Sequence, residues 1–129
     1  MRAIIASLGG ALSMLGWGAA PGAVTRTVAP DGTGAYATIQ AAIDACDSLD
    51  VVELLDGIYT GPGNRNLDFG GRVITVRSRS DDARACVIDC EGNSAAAGEP
   101  RRGFLFHSGE GPASILRGVT VTRGVSGGE

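Results

Sequence analysis

Lysine is absent from this chain: all 11 basic residues are arginine. That excludes lysine Schiff-base chemistry and a phosphate-loop lysine. Histidine occurs once, as His107. Cysteine is scarce, with only Cys46, Cys86 and Cys90, and no Cys-x-x-Cys or Cys/His spacing of the kind zinc needs. Aromatic residues make up 5 % of the chain, so no large aromatic core is available. The formal net charge of −3 gives no electrostatic basis for a nucleic-acid partner. Past the N-terminal stretch no apolar run is long enough to cross a bilayer, so the chain is not expected to be an integral membrane protein apart from that stretch. The length of 129 residues allows one domain at most.

The N-terminal stretch reads as a secretory signal over residues 1–22, with the domain over 23–129. Arg2 supplies a minimal positive region, residues 3–15 are apolar, and Gly18, Ala19 and Ala20 are the small residues a signal peptidase needs. Gly9, Gly10, Gly16 and Gly18 weaken the competing reading, a buried helix. The expected location is therefore outside the cell, secreted or on its surface. An oxidising compartment permits one disulfide among the three cysteines. Cys86 and Cys90 share a face of a straight strand but sit roughly 13 Å apart at ~3.3 Å per residue, beyond the ~7 Å that a bridge spans. A bond between them requires a bend, and burial of all three as small apolar residues is the competing reading.

What the chain has in excess is glycine, 21 of 129 residues, more than twice the usual share of about 7 %. Glycine-rich turns separate short strand-like runs at 24–28, 51–55, 66–69, 73–77, 86–89, 104–107 and 119–122. Residues 92–102 read as a projecting loop. One helix is expected. Thr38 is its N-cap, and Ile39, Ala42, Ile43 and Cys46 fall at i, i+3, i+4 and i+7 on one apolar stripe. Burying the two isoleucines is worth roughly 1.5–3 kcal/mol each. The later runs divide into two sets of three, starting at Val51, Leu67 and Val73 and at Cys86, Phe104 and Gly118, about 35–45 residues apart, a spacing that suggests a solenoid.

Asp31-Gly32-Thr33-Gly34, then Tyr36-Ala37-Thr38-Ile39-Gln40-Ala41-Ala42-Ile43-Asp44-Ala45, then Asp56-Gly57-Ile58-Tyr59 resemble the N-terminal start of pectin-lyase-like right-handed β-helix proteins. The resemblance extends over nearly all of 23–129. It implies an all-β fold: a right-handed parallel β-helix with an N-terminal capping helix and about two coils. That is fewer coils than the family stacks, so the chain is expected to be the front of a longer protein. The motif is specific for fold and unspecific for activity, because the family includes enzymes and non-enzymes.

Candidate chemistry is thin. Gly32-Thr33-Gly34-Ala35-Tyr36-Ala37 matches a weak dinucleotide fingerprint, but Pro30 and Asp31 interrupt it, Asp31 repels a pyrophosphate, and no βαβ unit is expected. No cofactor is expected. Asp81 with Asp82, or Asp89 with Glu91, are the carboxylate pairs that glycoside or lyase chemistry could use. Asp81 and Asp82 fit a solvated turn, and Asp89 and Glu91 are two ligands where Ca²⁺ wants at least six. His107 lies beside Ser108 and near Glu110, but neighbours on a strand diverge, and no nucleophile elbow accompanies them. Arg77, Arg79, Arg101 and Arg102 could meet an acidic polysaccharide; ordinary surface charge is the competing reading. The enzymes this chain resembles carry catalytic runs on later coils, and none of those runs is present, so no catalytic residue is assigned.

The expected function is a secreted or surface-exposed β-helix scaffold, non-catalytic, adhesive or carbohydrate-binding. The alternative is the N-terminal fragment of a pectin- or polysaccharide-degrading enzyme, a lyase or pectin esterase, with its catalytic residues beyond residue 129.

Overall fold

A computed structural model describes residues 22–92 and 99–126. The expected signal over 1–22 falls almost wholly outside the described residues, as does the centre of the expected loop over 92–102. The protein is mainly β, built of parallel sheets with almost no helix. Its elements are β1 (Thr25–Val28), α1 (Ile39–Asp44), β2 (Val51–Leu54), β3 (Gly57–Tyr59), β4 (Leu67–Asp68), β5 (Thr75–Ser78), β6 (Cys86–Asp89), β7 (Phe104–Leu105), β8 (Ile115–Arg117) and β9 (Thr120–Thr122).

Every pairing between these strands is parallel. The three sheets have the orders β1-β2-β5-β8, β3-β6-β9 and β4-β7. After α1 the chain visits them in rotation, through β2, β3 and β4, then β5, β6 and β7, then β8 and β9. Alternation within each strand sends one set of side chains inward. Val52, Leu54, Val76, Cys86 and Ile88 are buried on that side, with Tyr59, Leu67, Phe69 and Ile74. Residues of one type stack on the next turn of the chain: Val52 lies opposite Val76, and Val76 opposite Leu116.

α1 is short, and its local signals explain its start. Thr38 is extended (φ −140°, ψ 163°), and its side chain accepts a hydrogen bond from Ala41 N. Ile39, Ala42 and Ile43 are buried in the core together with Cys46. The N-terminal segment is fixed by a buried carboxylate. Asp50 accepts from Val24 N at 2.8 Å and Asp47 N at 2.9 Å, and it pairs with the Arg26 guanidinium. Burial alone would raise the Asp50 pKa, but these donors outweigh it and hold the carboxyl below the usual range.

Two of the residues quoted for the resemblance, Gly57 and Tyr59, are fixed by close contacts with the chain beside them. The Tyr59 hydroxyl lies 2.8 Å from Val28 O and 2.7 Å from Leu55 O. Gly57 has φ +139°, and a Cβ there would come within 2.5 Å of Pro30 Cγ. These motif positions are therefore explained by packing.

Three expectations are corrected. The runs at 51–55 and 73–77 are not different members of one coil: Val51 lies opposite Thr75 in the same sheet. Two strands that the resemblance joins to their neighbours stand apart: β3 in Asp-Gly-Ile-Tyr is separate from β2, and β8, between Pro112 and Gly118, is separate from β9. Both are three residues long and flanked by turn residues, which hides their period. Finally, β1, α1 and β2 do form a βαβ unit, since β1 and β2 pair in parallel around α1.

Candidate functional site

The outward face of the β1-β2-β5-β8 sheet carries a registered row, Thr27, Glu53, Arg77 and Arg117, one residue per strand. Strand spacing places successive members about 4.8 Å apart. Arg79 follows β5 and returns to the same face. Glu53 receives Arg79 at 2.9 Å and Arg77 at 3.4 Å, so one carboxylate serves two guanidiniums. Asp81 stands in the turn after β5 at φ +57° and takes Arg117 in a two-pronged pair, Nε–Oδ1 at 3.0 Å and Nη2–Oδ2 at 2.8 Å. That pair holds the Asp81 carboxyl below its ordinary range and the Arg117 guanidinium above its own.

These residues line an open cleft of about 280 Å³: Glu53, Arg77, Ser78, Arg79, Asp81 and Arg117. Three guanidiniums against two carboxylates leave it with one net positive charge at neutral pH. Arg77 has the longest ion pair in the cleft, so it is the cation most available to an incoming anion. The Ser78 hydroxyl is buried and has no hydrogen-bond partner. Gly118 keeps space beside it, since a Cβ there would lie 2.5 Å from Ser78 Oγ and 2.9 Å from Asp81 Oδ1. Arrayed arginines of this kind can hold carboxylate or sulfate groups in two-pronged geometry.

Of the four arginines singled out in the sequence, the fold brings Arg77 and Arg79 together. It places Arg101 and Arg102 elsewhere: Arg101 Nη1 donates to Glu91 O at 3.2 Å, and Arg102 N to Asn66 Oδ1 at 2.8 Å. Sequence reasoning missed Glu53 and Arg117. The signal that could have found them is the register itself, which aligns Glu53, Arg77 and Arg117 once β8 is recognised.

The other candidates resolve into separate contacts. His107 does not meet Ser108 or a nucleophile. Its Nε2 lies 2.8 Å from Asp68 Oδ2, across 39 residues. The Asp68 hydrogen bond raises the His107 pKa. The Gly70 amide and His107 together lower that of Asp68. Glu110 instead accepts from the amides of Gly71 and Ser108. Asp81 and Asp82 part company, as Asp82 turns to Arg84 N. Asp89 and Glu91 do not converge on a cation position. Asp89 binds Arg123 with both oxygens at 2.8 Å, and Glu91 takes Gly61 N and Arg65. Among the described residues no group of three or more His, Cys, Asp or Glu could hold a metal.

The glycine turn at 32–37 precedes an α1 whose first amides are all engaged. Ile39 N donates to Asn64 Oδ1, Gln40 N to Gly63 O and Ala41 N to Thr38 Oγ1, so none is directed at a phosphate. Cys46, Cys86 and Cys90 are buried free thiols. Burial pushes all three upward, Cys86 to about 11, which keeps them protonated and unreactive at neutral pH. No helix among the described residues is long and apolar enough to cross a membrane.

A scan against protein-family models, a search of curated proteins and a search of solved structures each returned no match for this chain.

Proposed function

We propose that this chain forms the α1-capped first coils of a right-handed parallel β-helix, is exported, and acts as a non-catalytic scaffold that binds acidic polysaccharide. The observation that carries the reading is the outward row Glu53, Arg77 and Arg117, joined by Arg79 around one open, positively charged cleft. Its guanidiniums lie on strands about 4.8 Å apart, so neighbouring carboxylates of an extended polymer can reach more than one of them. Rotation of the chain through three parallel sheets supports the β-helix part of the proposal.

Retention on immobilised polygalacturonate against neutral dextran tests the binding. The acidic matrix should retain the protein, retention should fall with added salt, and Arg77→Ala with Arg117→Ala should release it. Equal retention on both matrices overturns the reading. A second reading, a polysaccharide lyase or pectin esterase, draws on the packed Asp31-to-Tyr59 motif. Release of unsaturated uronides or of methanol from pectin by the secreted protein would favour it.

A further inference from the structure

One inward column runs from β1 through β2 to β5 as Val28, Leu54 and Ser78. Val28 and Leu54 are fully buried, and Ser78 is 3 % exposed. A hydroxyl therefore stands where the column is otherwise aliphatic, and it has no hydrogen-bond partner. A buried hydroxyl normally finds one, because leaving it unpaired is destabilising. An acceptor is close by. The point where a Cβ of Gly118 would stand lies 2.5 Å from Ser78 Oγ and 2.9 Å from Asp81 Oδ1. Glycine at 118 keeps the gap between those two oxygens open. Asp81 is held instead by Arg117, in a pair whose side chains are 51 % and 66 % exposed, so either partner can be exchanged at little cost. Glu53 has a spare donor too: with Arg77 at 3.4 Å gone, Arg79 at 2.9 Å remains.

We propose that one carboxylate of the acidic ligand is clamped between Arg77 and Arg117, and that Ser78 takes over Asp81 when Arg117 leaves it. This rests on the polysaccharide-binding reading above. Arg77 and Arg117 are register partners on neighbouring strands, with backbones about 4.8 Å apart, so the two oxygens of one carboxylate can accept from both. Two guanidiniums this close repel each other unless an anion neutralises them. In the free cleft Glu53 and Asp81 do so from the sides. As the ligand carboxylate arrives, Arg77 and Arg117 turn to it. Glu53 stays with Arg79. Asp81 loses Arg117, and the Ser78 hydroxyl donates to it in its place. Each carboxylate then keeps a donor, and the unpaired buried hydroxyl gains an acceptor. Ser78 is thus a positioning residue. It touches Asp81 rather than the ligand, and it sets how readily Arg117 is released.

Two double-mutant cycles test the proposal. The first needs no ligand. Ser78→Ala should leave the urea midpoint of the parent unchanged or raise it, since it deletes a hydroxyl without a partner. In Arg117→Ala, where Asp81 is already released, the same substitution should lower the midpoint. The second cycle reads trigalacturonate affinity by calorimetry. Ser78→Ala should weaken binding roughly tenfold, as expected for a lost hydrogen bond to a charged group. Asp81→Gly removes the carboxylate and keeps the left-handed turn. That variant should bind more tightly than the parent, and Ser78→Ala should then change affinity less than about twofold. A midpoint that responds to Ser78→Ala alike in both backgrounds, or an affinity untouched by Ser78→Ala in a parent that binds, overturns the exchange and leaves the polysaccharide reading standing. No binding by the parent overturns that reading and the clamp with it.

Discussion

The α1 side of the parallel sheets and the side that carries β7, β8 and β9 are built from the same kinds of residue and buried differently. On the α1 side, Ile39, Ala42 and Ile43 are buried against β1, β2 and β4, and a buried Arg26–Asp50 pair ties the incoming chain to the turn before β2. On the β7, β8 and β9 side, side chains in register with the core are a third to a half exposed, and the ion pairs are solvated. An identical inward position is worth different amounts at the two ends, because burial of apolar area, and not residue type or strand membership, sets the stabilisation. The same holds for charge. A carboxylate with three donors in the interior cannot lose them cheaply, whereas an exposed pair exchanges its partner for water.

The comparison breaks most directly at Ile43. Ile43→Asp puts an unpaired carboxylate where the side chain has no exposure, and it should cost on the order of 4 kcal/mol or more, enough to unfold a domain of this size. A variant that stays soluble and melts with the parent would show that α1 contributes little to the core. Asp50→Asn comes next. It removes the charge opposite Arg26 while the guanidinium stays largely buried, for an expected loss of about 3–5 kcal/mol in urea melts at pH 7. Asp50 has a depressed pKa in the folded state. Its contribution is therefore present above the unfolded-state value of about 3.9 and fades as pH falls through the lower folded value. The gap between parent and variant should be constant from pH 7 to about 5 and shrink below about 4.

Ile88→Ala and Val121→Ala sharpen the contrast, since the two residues are register partners. Truncation at the buried position should cost about 2–5 kcal/mol through lost burial and a cavity. At the exposed position it should cost less than about 1 kcal/mol in the monomer, where solvent already reaches the side chain. Equal losses in chemical denaturation would mean that the β9 edge is covered in solution.

Much of this arrangement was legible in the residues. The Thr38 cap, the Ile39-Ala42-Ile43-Cys46 stripe and the strand at 86–89 stand where their local pattern puts them, because each is decided by neighbours within one helical turn or one strand. The pairing of the runs at 51 and 73 was not legible. Parallel register is set by which inward residues fill a shared core, and Val51-Val52 fits several later Val-Ile or Val-Thr runs equally well. Short strands hid for a related reason: Gly57-Ile58-Tyr59 and Ile115-Leu116-Arg117 are too brief to show a period of two. The cleft was half legible. Arg77 and Arg79 are visible as neighbours in sequence, but Glu53 and Arg117 join them only through the ladder, and Asp81 only through its left-handed turn. His107 carried a misleading local signal, as its adjacent Ser108 diverges and its true partner lies 39 residues earlier.

The smallest expected effect concerns that histidine, and it separates the two ends by environment. The His107–Asp68 pair joins the turns of the chain at the exposed side, as Arg26–Asp50 does at the buried side. Asp68 raises the His107 pKa above its ordinary 6.5, and His107 together with the Gly70 amide depresses Asp68. A histidine with a raised folded-state value stabilises at pH below its unfolded value and loses that contribution as pH rises through the folded one. His107 resonances should therefore titrate above about 6.5, and Asp68→Asn should return the midpoint toward it. Salt at about 1 M, where the Debye length falls to about 3 Å, should lower the midpoint in the parent and move it little in Asp68→Asn. The accompanying change in melting temperature between pH 5 and 8 should be slight, because both partners lie in solvent. A steep loss of stability over that range, removed by Asp68→Asn, would mean that the pair is shielded from water.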